Sequence, residues 1–199
     1  RVRGNPDFLE GLRTLAGNAA VTRQEYLSDG TLEIELTMNL TGGFGQFVLP
    51  EEIRQVEPVT TVNAVQKETK QPSKGKEGNG SVPYTGLIVD AVGIGALPAL
   101  VPVIVDETGE VVFGPAFVSR EFAVSRGMSG FAATLDDARK DPRVGERPLI
   151  VKAIRTRSTG KTDLVIPTTD AARLRSSAIH LNFLKACRVC IVLDRVETQ

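Results

Sequence analysis

The sequence predicts an α+β domain, in which helices pack on one face of a small, mostly antiparallel sheet. Apolar residues recur at helical spacing near both ends of the chain, and strand-like runs lie between them. Helices and strands do not alternate as βαβ units throughout. The 199 residues, 41% of them hydrophobic and 24% charged, suit an ordinary core. We therefore predict one domain over residues 1–199, interrupted by a long polar excursion.

The first predicted elements are a helix and a strand. Pro6 suits the first position of a helix, and leucines then follow at helical spacing until the helix fades near Gly17. After a turn at residues 28–30, the run 31–40 alternates strictly between apolar and polar residues. That alternation predicts a half-buried strand, with one face on a core and the other in water.

The composition changes in the excursion, which covers about residues 50–84. It contains an almost purely polar stretch at 67–80, whose four lysines could form a local basic patch. No core can be built from such a stretch, so we interpret it as a flexible, lysine-rich arm or a solvated loop.

Beyond the excursion, apolar runs and capping residues predict the remaining elements. Strands are expected at 85–91, 101–106, 111–114, 148–155, 163–166 and 188–194, and the second and third of these are predicted to form a hairpin. Two short helices are expected after Ser119 and Thr134, which are good N-cap residues. A long helix should begin at Thr169 or Asp170 and run to about Lys185.

Charge and composition argue against several classes of function. The 24 basic and 24 acidic residues cancel, whereas proteins that bind nucleic acid usually carry a positive excess. Apolar stretches are too short to span a bilayer. His180, Cys187 and Cys190 cannot complete a tetrahedral zinc site without a carboxylate or a partner chain. We therefore expect no nucleic-acid partner, no metal and no cofactor.

The two cysteines have CxxC spacing, but the spacing lies after a helix instead of at its N-terminus. Because the helix dipole lowers a thiol pKa only at the N-terminus, we interpret Cys187 and Cys190 as buried, unreactive thiols. A lone helical histidine such as His180 is more often a packing or surface residue than a base.

No nucleophile, base and orienting group can be assembled from the sequence, so we predict that the protein is not an enzyme. One enzymatic alternative stays open, an acid-only site that uses Asp90 and Asp106. Such a site requires two carboxylates roughly 5–10 Å apart across a cleft.

A glycine-rich and proline-rich loop follows the strand at 85–91. It resembles a dinucleotide loop only weakly, because a proline stands where the third glycine belongs and no helix signal follows. We interpret the loop as a wide, stiff turn that could contact a ligand or a partner. Its candidate interaction residues are Gly93, Gly95, Pro98 and Pro102.

Several segments resemble one group of bacterial proteins. They are 85–95, 98–102, 105–114, 170–175 and 187–194. Together they resemble envelope lipoproteins related to the twenty-kilodalton Helicobacter lipoprotein, and similar domains occur in flagellar basal-disc and outer-membrane-ring proteins. The resemblance implies a non-catalytic, periplasm-facing domain with a dodecin-like or related fold. It also implies an outer-membrane anchor on a lipidated cysteine, which would lie before Arg1.

We therefore expect an oligomeric structural or assembly protein of the bacterial cell envelope, with a periplasmic location. Its partners would be copies of itself or envelope and flagellar proteins, and it would touch a membrane only through an upstream lipid anchor. The alternative is a periplasmic binding module, whose loop at 93–102 would hold a small molecule or an envelope polymer.

Overall fold

The computed structural model describes residues 6–39, 49, 83–157 and 159–195. The predicted arm at 67–80 lies outside these ranges. The elements within them, in chain order, are α1 (Pro6–Gly17), β1 (Ala20–Tyr26), β2 (Leu32–Thr37), β3 (Gly86–Asp90), β4 (Ile104–Asp106), β5 (Val111–Phe113), α2 (Arg120–Arg126), β6 (Gly130–Ala132), α3 (Leu135–Lys140), β7 (Pro148–Lys152), β8 (Arg155–Thr156), β9 (Leu164–Ile166), α4 (Thr168–Arg175), α5 (Ala178–Lys185) and β10 (Val189–Val192). This mixture confirms the α+β class.

Four strands in the order β6-β10-β3-β7 form a sheet in which every neighbouring pair is parallel. The sequence predicted mostly antiparallel pairing, so the strand direction here differs from the prediction. The physical reason lies in the connections. Two parallel neighbours need a long crossover, which brings the chain back to the end of the sheet where the first strand began. The segments between these strands are long enough, and they contain α2 to α5.

A second sheet, which we call the mixed sheet, has the order β5-β4-β9-β8. Its β4–β5 pair is the predicted hairpin, and β4 runs parallel to β9. The run predicted as one strand at 148–155 contributes to both sheets, because β7 ends at Lys152 and β8 begins at Arg155. Two backbone hydrogen bonds fix the point where the chain passes from one sheet to the other. The Ala153 N–H donates to the Asp90 carbonyl of β3, and the Ile154 N–H donates to the Val165 carbonyl of β9.

Helices cover both faces of the parallel sheet, although the sequence predicted them on one face only. Phe183 and Leu184 of α5 belong to the main core, together with alternate residues of β3 and β10. On the opposite face, Ala138 of α3 packs in a smaller cluster with Ile88 and Cys190. A second cover is needed because β3 and β10 carry apolar side chains on both faces.

The long helix predicted near the C-terminus is two helices, since α4 ends at Arg175 and α5 begins at Ala178. Ser177 separates them, and its hydroxyl accepts a hydrogen bond from the Ile179 backbone at 3.3 Å. Serine side chains compete with helix hydrogen bonds in this way, which favours a cap over helix continuation. The His180 ring lies across the break, with Nδ1 2.9 Å from the Arg173 carbonyl.

The N-terminal helix and the strand after the first turn are confirmed as α1 and β2. β2 pairs with β1, which the sequence analysis did not predict. A bulge between Val21 and Arg23 shifts the register, and the apolar and polar alternation of β1 is lost at that point. The prediction of a half-buried β2 is wrong, because all its residues are exposed.

Candidate functional site

The predicted interaction loop lies at the carboxyl end of β3, where the chain leaves the parallel sheet. Gly93 and Gly95 have φ values of 85° and 63°, a region that favours glycine. The Gly93 N–H donates to the Asp194 carboxylate at 3.0 Å, and the Leu97 N–H donates to the Lys161 carbonyl at 2.8 Å. The loop is therefore hydrogen-bonded to the segment after β10 and to the connection between β8 and β9.

The loop residues divide into surface and interior positions. Gly93, Gly95 and Pro98 are exposed, whereas Pro102 is buried. Of the four predicted interaction residues, only the three exposed ones could therefore contact a partner directly. The loop also exposes three large apolar side chains, Val92, Leu97 and Leu100.

The two aspartates of the acid-only hypothesis are each bound to a different cation. Asp90 ends β3 of the parallel sheet, and its carboxylate lies 3.0 Å from Lys152 Nζ. Asp106 ends β4 of the mixed sheet, and its carboxylate lies 2.9 Å from the Arg175 guanidinium. Each of the two carboxylates therefore lies in an ion pair of its own, on a different sheet.

Asp106 is the centre of a buried polar cluster. Its side chain is 1% exposed and accepts four hydrogen bonds, from the Thr108 backbone, the Thr108 hydroxyl, the Glu110 backbone and Arg175. Burial by itself would raise the pKa of Asp106, but the hydrogen bonds from Thr108 and the Arg175 charge outweigh it. They lower that pKa from 3.8 to about 2. The carboxylate is a fixed anion, not a proton donor.

The turn between β4 and β5 holds both ends of α4. Glu107 accepts a hydrogen bond from the Thr168 backbone at 3.0 Å, at the first residue of the helix. At the other end, Arg175 bonds Asp106 and lies 3.3 Å from the Glu110 carboxylate. A carboxylate suits a helix N-terminus and a paired arginine suits the C-terminus, so the turn positions α4 on the mixed sheet. The sequence showed the turn, but not which helix it would hold.

The two cysteines are buried, as the sequence predicted. Cys187 has a φ of 57° just after α5, where the Arg188 N–H donates to the Phe183 carbonyl in a Schellman arrangement. Glycine usually takes this position; here the thiol is completely buried in the main core. Burial raises the pKa of the Cys187 thiol to about 11. Burial and then the Asp141 carboxylate raise that of Cys190 to about 11.

These pKa values predict that both thiols react only slowly in the folded protein. Each is raised from 9.0 to about 11, so the thiolate fraction falls about a hundredfold. We expect iodoacetamide at about pH 8 to alkylate the native thiols at least about a hundredfold more slowly than those of the denatured chain. Mass spectrometry over time measures both rates. Similar rates with and without denaturant would contradict the buried placement of Cys187 and Cys190.

Within the described parts of the chain, no group of three or more His, Cys, Asp and Glu side chains is arranged to hold a metal ion. In the same parts, no helix combines the length and the apolar character that a membrane crossing requires.

The N-terminal hairpin, which consists of β1 and β2, carries the largest group of exposed apolar side chains on one element pair. The cross-strand pairs Val21–Leu36 and Tyr26–Leu32 lie on one side, together with Ile34. We call these five side chains the apolar hairpin face. They are between 45% and 76% exposed. Sequence analysis found the β2 half of this face from its alternation, but assigned it to the core.

The described residues form an α+β domain with a buried ionic cluster, two buried thiols and an exposed apolar face on the N-terminal hairpin. A family model described as Treponema pallidum Tp0624, second domain, matches residues 86–195, just over half of the chain. The chain therefore belongs to this bacterial family. A comparison with curated proteins gave no match. The family match makes no connection with the Helicobacter lipoprotein or with flagellar rings.

Proposed function

We propose that this chain is a non-catalytic assembly protein of the bacterial cell envelope, which acts as an oligomer through surface contacts. The observation that carries the proposal is the apolar hairpin face. An isolated two-stranded hairpin is at best marginally stable in water, and this one leaves five large apolar side chains in solvent. Such a face is typical of a surface that another protein covers.

The chemistry of the described charged groups supports a role without catalysis. The described contacts of three aspartates are structural. Asp90 and Asp106 form ion pairs with cations of the same chain, and Asp194 accepts a hydrogen bond from the Gly93 backbone. Cys187 and Cys190 have raised thiol pKa values, which removes them as nucleophiles at neutral pH.

The resemblance of segments in the region 85–194 to envelope lipoproteins and flagellar ring proteins supports the location in the periplasm, at the outer membrane. The match to a Treponema pallidum domain supports a bacterial setting but not a compartment. Fractionation of the native cells, followed by immunodetection, tests this part. Recovery in the cytoplasmic fraction alone would overturn it.

The oligomeric state is tested by light scattering of the purified protein over a wide concentration range. We expect the mean mass to rise above that of one chain as concentration increases, because burial of the apolar hairpin face favours association. A mass that stays at one chain throughout would overturn the proposal of an assembly protein.

A second candidate function is a binding module at the loop after β3. In open parallel sheets, ligands bind outside the carboxyl ends of the strands, where this loop lies. The exposed side chains of Val92, Leu97 and Leu100 would give the loop an apolar contact surface. Saturable shifts of the backbone signals of Gly93 and Gly95 by NMR, on titration with peptidoglycan fragments, would favour this function over assembly.

A further inference from the structure

The polar atoms of the apolar hairpin face include one hydrogen-bonded pair. The Tyr26 hydroxyl accepts a hydrogen bond from Gln24 Nε2 at 2.8 Å, and both side chains lie on this face. The Tyr26 ring is 76% exposed and could be covered without leaving its hydroxyl unpaired. Covering the five apolar side chains would therefore remove apolar surface from water and keep this hydrogen bond.

The opposite face of the hairpin is charged. Arg23 and Glu35 are directly opposite each other, as are Glu25 and Glu33. Arg23 and Glu25 form an ion pair at 2.6 Å. The hairpin thus has one wet face and one apolar face, which is the pattern of a strand pair in one layer of a β-sandwich. The second layer is missing from the described residues, where β1 and β2 pair only with each other.

The charges favour face-to-face contact between two copies over contact between strand edges. If β2 of two copies paired antiparallel about Ile34, Glu33 of one copy would lie opposite Glu35 of the other. Like charges directly opposite across strands are destabilising. Face-to-face packing instead leaves all these carboxylates on the two outer surfaces, in water.

The area is sufficient for a weak, symmetric dimer. Five large apolar side chains on each of two copies would remove on the order of 1,000 Å² from water, near the lower limit of specific interfaces. A two-fold contact uses the same patch on both copies, and it is the commonest symmetry among oligomers. Weak or transient complexes have interfaces near this limit, so we expect the dimer to dissociate on dilution.

We infer that the apolar hairpin face packs against the same face of a second copy of this chain, as a two-layer contact with its layers about 10 Å apart. This inference rests on the proposed function, since it names the partner at that surface. Tyr26 and Ile34 lie in the interior of the contact, and the glutamates of the hairpin lie outside it.

Cross-linking of variants that carry one added cysteine tests the geometry. Ile34→Cys places a thiol on the apolar hairpin face, and Glu33→Cys places one on the opposite face, one residue away. The native cysteines are buried and do not interfere. With a short bis-maleimide, we expect Ile34→Cys to form covalent dimers at least about tenfold faster than Glu33→Cys.

The outcomes separate the possible occupants of the face. An Ile34→Cys thiol that resists both cross-linking and alkylation would overturn the inference, because another part of the same chain then covers the face. A thiol that is alkylated readily but does not cross-link would also overturn it, in favour of a partner of other chemistry.

Light scattering of Ile34→Glu separates this inference from the proposed function. We expect Ile34→Glu to raise the dimer dissociation constant at least about tenfold, with Glu35→Gln as the matched control that leaves it unchanged. Circular dichroism checks that both variants stay folded. An oligomer that survives Ile34→Glu unaltered would refute the hairpin contact and leave the assembly function standing. A monomeric wild type would refute both.

Discussion

Replacement of Asp106 by asparagine should lower the free energy of unfolding by about 3 kcal/mol, because it removes the buried anion beside Arg175 and leaves only the exposed Glu110 carboxylate to pair with that charge. The Arg175 side chain is only 14% exposed, so water cannot replace the lost carboxylate fully. The turn from Asp106 to Glu110 would also lose one of its two ion pairs with the C-terminal end of α4. Urea unfolding followed by circular dichroism measures the change.

Asp170→Asn is the matched control for this prediction. Asp170 pairs with Arg173 at 3.8 Å on the same helix, but both side chains are much more exposed. Ion pairs of this kind contribute less than about 1 kcal/mol. If Asp106→Asn were no more damaging than Asp170→Asn, the buried cluster would not be a determinant of stability.

The same cluster gives stability a defined pH dependence. The pKa of Asp106 is lowered from 3.8 to about 2 on folding, so the unfolded chain takes up its proton first as the pH falls. The contribution is complete above about pH 5 and is lost as the pH falls through about 2; it amounts to about 2 kcal/mol. The stability difference between wild type and Asp106→Asn should therefore shrink by that amount between pH 5 and pH 2. A constant difference would contradict this assignment.

Replacement of Gly86 by alanine should destabilise the protein by about 3 kcal/mol or prevent folding, because an added methyl group has no space. A Cβ at Gly86 would lie 2.5 Å from the Val144 carbonyl oxygen and 2.9 Å from the Arg188 carbonyl oxygen. Both are backbone atoms, which cannot rotate away as a side chain could. Moving them would disturb the start of β3 in the centre of the parallel sheet.

Gly17→Ala is the control for the Gly86 prediction. A Cβ at Gly17 would meet nothing within 4 Å at the end of α1, so the free energy of unfolding should change by less than about 1 kcal/mol. Thermal unfolding of the two variants, measured side by side, gives the comparison. A Gly86→Ala protein as stable as Gly17→Ala would show that the Val144 backbone does not approach β3 this closely.

Local sequence patterns predicted many of the helices and strands. The cap at Thr134 predicted the start of α3, and its hydroxyl accepts a hydrogen bond from the Asp137 backbone. The β4–β5 hairpin followed from two apolar runs around a glycine-containing turn. Each of these elements is determined by residues that are close in sequence, so a short segment of the chain is enough to predict it. β1 was missed because a bulge interrupts its alternation. The break before α5 was missed because apolar residues keep helical spacing across the two serines at 176 and 177.

The candidate sites also divide into features that depend on neighbouring residues and features that depend on distant ones. The sequence identified the loop containing Gly93 and the burial of the two cysteines, since glycine spacing and position after a helix are local properties. It also indicated one apolar side of β2. It could not show that Asp106 pairs with Arg175, which is 69 residues away in the chain.

By itself, the sequence determined the α+β class and most helix and strand positions. Only the tertiary structure decided the parallel direction of the central strands, the cation that each aspartate binds and the exposure of the hairpin. The physical reason is that strand neighbours, ion pairs and burial are relations between distant segments, whose free energy depends on which surfaces meet. An alternating strand has the same sequence pattern whether its apolar face packs on a core or is exposed at the surface.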